Sequence, residues 1–170
     1  LVALFVTAYR MQPEAHIVMM GLGAVAWVFA ALTGLTGGPV ASLVPWLAAF
    51  LVLTIAGERL ELARMIAITQ KMRRQLAGAV AVVLIGSVIA WTSPWIGVRI
   101  AGLGNLLVAI WLIRHDIARR TIRVAGITRY MAAGLLVGYA WLAVSGALWM
   151  ASGLNVASLT YDAALDRKSV

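Results

Sequence analysis

The sequence contains no cysteine, which excludes disulfides, cysteine-ligated zinc and iron–sulfur clusters while leaving the redox compartment open. Charge is scarce as well, because charged residues make up 12% of the 170 residues, against 63% hydrophobic residues. A water-soluble domain of this size needs a surface that is largely polar or charged. The chain therefore belongs in a lipid bilayer.

Ionisable residues are missing from the middle of every long apolar run. Proton relays, ion-coupled carriers and voltage sensors need such residues at depth, so their absence argues against a self-contained pump or coupled carrier. The hydroxyls of Thr54, Ser87 and Ser145 are isolated and can bond to their own helix, and the sequence has no Gly-rich phosphate loop. The sequence therefore favours a protein that is not an enzyme.

Long apolar segments dominate what is present. Five of them are long enough, or nearly so, to cross a bilayer as helices, at residues 17–35, 40–57, 76–95, 100–113 and 130–154. A shorter run at residues 1–9 would rise about 14 Å as a helix, roughly half of the hydrocarbon core, so we expect a truncated helix there. The sequence predicts an all-α fold, a single polytopic transmembrane helical bundle of five full spans plus a partial N-terminal one.

The basic residues predict the orientation, because cytoplasmic loops carry an excess of Lys and Arg. Eleven of the fourteen Lys and Arg residues fall in three alternate loops, two of which are residues 58–75 and 114–129. We expect these basic loops in the cytoplasm, the tail at residues 155–170 outside, and the chain in a bacterial inner membrane. The net charge is +8, but the sequence has no stacking platform or recognition helix of the kind that binds nucleic acid. We therefore expect the basic residues to contact the membrane surface.

Tryptophan and glycine predict how the spans meet lipid and each other. Five of the seven tryptophans, Trp46 among them, lie near predicted helix ends, as interfacial belts require. Trp27 and Trp141 fall deeper, and we expect them to pack between helices. Gly134 and Gly138 form a GxxxG motif, and small residues of this kind let helices approach closely in lipid.

The two basic loops share a pattern. When the chain is slid against itself by 55 residues, Arg59-Leu60-Glu61-Leu62-Ala63-Arg64 lies over Arg114-His115-Asp116-Ile117-Ala118-Arg119. Two explanations stay open: a parallel internal repeat, or the tendency of topology alone to place Arg at cytoplasmic helix ends. Along a helix, Asp116 is close enough to pair with Arg119 or Arg120.

The clustered arginines have three interpretations. They set the orientation and solvate the helix ends, they hold an anionic headgroup such as that of cardiolipin, or they dock a cofactor propionate or a partner subunit. The candidate lipid-binding residues are Arg59, Arg64, Arg73, Arg74, Arg114, Arg119, Arg120 and Arg123.

Both histidines, His16 and His115, fall on the predicted cytoplasmic side. Two imidazoles at one depth can ligate a haem iron or a copper ion, with Met19 or Met20 as soft neighbours of His16. The alternative is that both are interfacial histidines, because neither has a spaced second ligand on its own helix. They are the candidate metal ligands.

Three segments carry a resemblance to a known family: TIAGERLELARM from Thr54, ITRYMAAGLLVGYAWLAVSGALWM from Ile127 and LTYDAAL from Leu159. A basic-capped span, a span beginning at Arg-Tyr and an outer Asp-Ala-Ala-Leu resemble the NnrS-like polytopic membrane proteins. The resemblance implies haem or copper and a link to nitric oxide stress. That family places a histidine soon after Ala-Ala-Leu, whereas this chain reads Asp166-Arg167-Lys168-Ser169-Val170. The likeness therefore implies a fragment or a metal-free relative.

The sequence leaves two hypotheses for function. The first is a non-catalytic transmembrane subunit or fragment that packs against other membrane subunits, or against the missing remainder of the chain, with its Arg loops on anionic lipid. The alternative is part of an NnrS-like haem or copper protein linked to the nitric oxide response.

Overall fold

The computed structural model describes residues 2–11, 14–38, 40–62 and 69–152, and that part of the chain forms seven helices and no strand. The predicted all-α class is confirmed. The helices are α1 (Val2–Met11), α2 (Ala15–Leu35), α3 (Val40–Leu62), α4 (Gln70–Thr92), α5 (Pro94–His115), α6 (Ala118–Thr121) and α7 (Ile127–Ser152).

Five of these helices, α2, α3, α4, α5 and α7, are long and apolar enough to cross a membrane. The chain is therefore a multi-pass integral membrane protein. Several helices exceed the apolar runs: α3 continues to Leu62, α4 starts at Gln70 rather than at residue 76, and α5 starts at Pro94 rather than at residue 100. The additional helical turns are more polar than the apolar runs. A helix can continue past the hydrocarbon core because water and headgroups solvate its charged side chains there.

The expected partial N-terminal helix is present as α1, and the expected loop at residues 114–129 contains the single-turn helix α6. Most of the other basic loop is helical, since α3 and α4 extend into it from both ends. The rest of that loop, residues 63–68, and the expected outer tail at residues 155–170 lie outside the described residues.

Local chemistry explains the two described turns between spans. After α2, Gly37 adopts a φ of 69°, and Gly38 donates its N–H to the Thr33 carbonyl at 2.9 Å, which closes the helix end. Between α4 and α5, Pro94 occupies the first turn of α5, where its missing N–H costs no hydrogen bond and its fixed φ suits a helix start.

Helix α5 is the centre of the bundle, because it packs against α3, α4, α6 and α7. Glycines permit its close approaches: a Cβ atom added to Gly104 would lie 2.6 Å from the Val83 backbone nitrogen on α4, and one added to Gly102 would lie 2.8 Å from the Gly146 carbonyl on α7. In lipid, such backbone proximity is what holds helices together.

The predicted GxxxG motif has a different surrounding. A Cβ atom added to Gly134 or Gly138 would meet nothing within 4 Å, and both glycines are exposed. The packing glycine of α7 is Gly146 instead. Helix α7 contacts α5 and α6 and no other described helix, so one of its faces is open along its length.

Hydroxyl groups fasten α3 to α4. Ser42 donates to the Ala90 carbonyl at 3.1 Å, and Ser87 lies between its own helix, at 2.9 Å from the Val83 carbonyl, and the Pro45 carbonyl of α3, at 3.3 Å. Both hydroxyls and the residues that accept their bonds are buried inside the bundle, where water does not compete for these bonds.

The tryptophan predictions are partly wrong. Trp46, expected at an interface, is 3% exposed and stacks on Phe29 with ring centroids 4.9 Å apart. Trp27 and Trp141, expected between helices, are 47% and 69% exposed. Depth along a span does not determine which face of the helix a side chain occupies, and the apolar pattern of these spans does not indicate that face.

Candidate functional site

The helix ends that carry arginine meet at one end of the bundle, which we call the arginine end. Trp111 near the end of α5 donates its indole N–H to the Met72 carbonyl near the start of α4 at 3.0 Å. The C-terminal part of α3, α6 and the start of α7 lie at the same end. The opposite end, which holds the α2–α3 turn and Pro94, is called the far end.

Seven of the eight predicted lipid-binding arginines lie at the arginine end, and Arg64 lies outside the described residues. Six of the seven are exposed, and within the described part of the chain none of their guanidinium groups pairs with a carboxylate. These six are Arg73, Arg74, Arg114, Arg119, Arg120 and Arg123. Their charges are therefore available to a ligand in solution or in the membrane surface.

Arg59, the remaining arginine, is half-buried, and its Nε atom is buried without a hydrogen-bond partner in the described structure. Arg59 thus belongs to the interior of the arginine end rather than to its lipid-accessible rim.

The expected pairing of Asp116 with Arg119 or Arg120 is wrong. The Asp116 carboxylate, which is 6% exposed, accepts a short hydrogen bond from the Tyr139 hydroxyl and a second from the Ala118 N–H at 3.2 Å. The first joins the α5–α6 turn to α7, and the second opens α6. Tyr139 is 23 residues from Asp116, so helical spacing gave no sign of this contact.

The structure does not bring the two histidines together. His16 Nδ1 lies 3.7 Å from the Glu14 carboxylate, and His115 Nδ1 lies 2.9 Å from the Trp111 carbonyl, with its ring centroid 5.0 Å from that of Trp111. No Cα atom of α2 lies within 8 Å of one in α5. Among the described residues, no group of three or more His, Asp and Glu side chains is placed to hold a metal ion.

Arg99 joins α5 to α7 at the far end. Its guanidinium donates to the Ala151 carbonyl at 3.1 Å and lies 3.8 Å from the centre of the Trp95 ring. An arginine near the last carbonyls of a helix stabilises that end, and the ring adds a cation–π contact. The sequence did not indicate that Arg99 joins α5 to α7.

Comparison with known proteins adds a family to this geometry. Neither a curated protein nor a solved structure matches the chain. The model of one family, the domain of unknown function DUF8744, matches residues 1–167, which is nearly all of the 170 residues, and the chain therefore belongs to that family.

Proposed function

We propose that this chain is a non-catalytic membrane subunit whose arginine end binds anionic lipid and whose helices pack in a larger membrane assembly. The observation that carries the proposal is that six of the predicted lipid-binding arginines are exposed at one end, and their guanidinium groups have no carboxylate partner among the described residues. Each Lys or Arg near an anionic membrane surface contributes about 1 kcal/mol to attraction. Arginine also matches phosphate geometry with a planar pair of donors.

The open face of α7 supports the assembly part of the proposal. Gly134 and Gly138 leave a flat strip on this face, and the strip is flanked by Val137, which is 56% exposed, and by Trp141. Packing, rather than the hydrophobic effect, drives helix association in lipid, so a flat strip of this kind suits a further transmembrane helix.

The non-catalytic part is supported by what the polar groups contact. The Thr54 hydroxyl donates to the Phe50 carbonyl at 2.8 Å, and the Ser87 hydroxyl donates to backbone carbonyls of α3 and α4. The buried carboxylate of Asp116 is engaged by Tyr139 and Ala118. The two hydroxyls thus bond backbone carbonyls rather than a basic side chain, and the Asp116 carboxylate joins the α5–α6 turn to α7.

Lipid retention by the purified protein tests the proposal. All six exposed arginines are replaced by Gln, which keeps a long polar side chain and a good helix former while removing the charge. We expect native mass spectrometry to show at least tenfold less retained cardiolipin or phosphatidylglycerol, with retained phosphatidylethanolamine unchanged as the internal control. Unchanged anionic lipid would contradict the proposal.

The resemblance to NnrS-like proteins supplies the alternative function, a role with haem or copper in the nitric oxide response, and it stays a prediction. His16 and His115 lie on helices that do not pack against each other, so each would need partners from elsewhere. An absorbance spectrum of the purified protein decides it. A Soret band lost in His16→Ala or His115→Ala would favour the alternative, and a featureless spectrum would count against it.

A further inference from the structure

A groove of about 450 Å³ opens between α2 and α4 at the arginine end. Its walls are one face of α2, which includes Met19 and Leu22, and one face of α4, which includes Ala77 and Ala81. The floor is Leu60 of α3, which is 4% exposed. We call this cavity the α2–α4 groove.

The groove is open to what surrounds the bundle, because Leu22, Ala77 and Ala81 of its lining are exposed. No Cα atom of α2 lies within 8 Å of one in α4, so the two walls stand apart with α3 behind them. In a membrane, the medium beside such an opening is lipid. The groove is therefore accessible to a molecule that diffuses in the bilayer.

The dimensions of the groove match one leaflet. The α4 lining begins at Gln70, and its part from Arg74 to Leu84 spans ten helical steps, a rise of about 15 Å. Half of a hydrocarbon core about 30 Å thick has the same depth. Below its mouth the lining is entirely aliphatic or methionine, which suits an acyl chain.

The mouth of the groove is positive. Arg73 and Arg74 line it together with Gln70, and no carboxylate belongs to the lining. The nearest acid along α2, Glu14, lies against His16. An anionic head at the mouth would thus have two exposed guanidinium groups to bind, while its chain descends along the apolar walls.

We propose that the α2–α4 groove binds one anionic phospholipid, with its phosphate at Arg73 and Arg74 and one acyl chain between α2 and α4. The inference rests on the proposed function, since it locates a specific site within a surface proposed to contact anionic lipid. Binding to the arginines alone does not depend on the groove. Binding at the proposed site also requires that no side chain fills the apolar groove.

A neighbouring groove supplies a matched control. It has a volume of about 370 Å³ between α4 and α5 and is lined by Gly78, Ile110 and Arg114 among others. Ala77 and Gly78 are adjacent and both exposed, yet they line different grooves. Ala77→Trp therefore fills the proposed site, and Gly78→Trp adds the same indole one residue away, outside it.

The experiment measures lipid bound to the intact, purified protein in bilayers containing phosphatidylglycerol and phosphatidylethanolamine. We expect Ala77→Trp to weaken the tightest phosphatidylglycerol binding at least tenfold, while Gly78→Trp leaves it unchanged. Arg73→Gln combined with Arg74→Gln alters only exposed side chains, and this variant should lose the preference for phosphatidylglycerol over phosphatidylethanolamine. Free inorganic phosphate should not compete for the site.

Three results would overturn the inference: full binding by Ala77→Trp, equal losses in Ala77→Trp and Gly78→Trp, or an unchanged lipid preference after the double Arg→Gln change. Each can occur while the six-arginine variant still loses anionic lipid. In that case the general lipid-binding proposal stands and only the groove is rejected. If the six-arginine variant keeps its lipid, the proposed function itself fails.

Discussion

At the scale of single residues, the contact between Asp116 and Tyr139 carries the most consequence, because it is buried and joins the α5–α6 turn to α7. Tyr139→Phe removes the donor and keeps the ring, which leaves the Asp116 carboxylate with the Ala118 N–H as its described partner. An acceptor deprived of its partner in a buried site costs about 1–3 kcal/mol. We expect Tyr139→Phe to lower the unfolding midpoint of the protein in detergent, as measured by circular dichroism.

The matched control for this prediction is Tyr130→Phe on the same helix. Tyr130 is 79% exposed, so loss of its hydroxyl should leave the unfolding midpoint unchanged. Equal midpoints for Tyr139→Phe, Tyr130→Phe and the parent protein would show that the buried contact does not stabilise the fold.

Asn105 presents the opposite case, since its side-chain oxygen is buried in α5 without a hydrogen-bond partner in the described structure. Replacing a polar group that has no partner by an apolar group of similar shape is neutral or stabilising. We therefore expect Asn105→Leu to unfold at the same temperature as the parent protein or at a higher one. Ser87→Ala, which deletes a bonded hydroxyl, should cost about 0.5–1.5 kcal/mol. A loss in Asn105→Leu as large as that would show that the amide has a partner.

At the scale of helices, we expect opposite results when Gly102 of α5 and Gly134 of α7 are replaced by a larger residue. A side chain at Gly102 would collide with Trp149 and with the backbone of α7, whereas Gly134 faces open space. Overpacking a close interface costs about 1–3 kcal/mol. Gly102→Leu should therefore lower the unfolding midpoint, and Gly134→Leu should not. A stable Gly102→Leu would mean that α5 and α7 do not approach as closely as described.

The open α7 face extends this prediction to assembly. If a further helix packs on Gly134 and Gly138, the combined Gly134→Leu and Gly138→Leu change should reduce the size of the native complex in gently solubilised membranes while the chain stays folded. The same pair replaced by Ala, a small residue, should keep the complex. An unchanged size in both variants would remove the assembly part of the proposed function.

The sequence predicted helices well because hydropathy is a property of each segment alone. Residues 17–35 and 130–154 lie close to the observed α2 and α7, and the predicted break between residues 95 and 100 lies close to the observed turn between α4 and α5. Helix faces were less predictable. Which glycines pack, which tryptophans meet lipid and where Asp116 finds its partner all depend on the rotation of each helix against its neighbours. With apolar residues on every side of a span, the sequence pattern does not specify that rotation.

At the scale of the whole molecule, charge divides the bundle into two ends. The concentration of arginine at one end was readable from the sequence, because alternate loops fall on the same side of a membrane. The α2–α4 groove was not readable, because it is a gap between helices that are separated in the chain and whose Cα atoms nowhere come within 8 Å of each other. A gap of this kind arises from the arrangement of all its walls, and no single segment encodes it.

The orientation of the bundle in the membrane is the prediction that belongs to the whole molecule. It is easy to test because the sequence contains no cysteine, so an introduced cysteine is its sole thiol. Lys71 and Arg119 are exposed at the arginine end, and Leu35 is 84% exposed at the far end. The test variants are Lys71→Cys, Arg119→Cys and Leu35→Cys. If the arginine end is cytoplasmic, a membrane-impermeant maleimide should label Leu35→Cys in intact bacterial cells, and the other two only after permeabilisation. Labelling after denaturation controls for thiol reactivity. Lys71→Cys and Arg119→Cys on opposite faces would contradict the bundle itself, because both lie at one end of it. If both were labelled in intact cells, the bundle would stand and its orientation would be reversed.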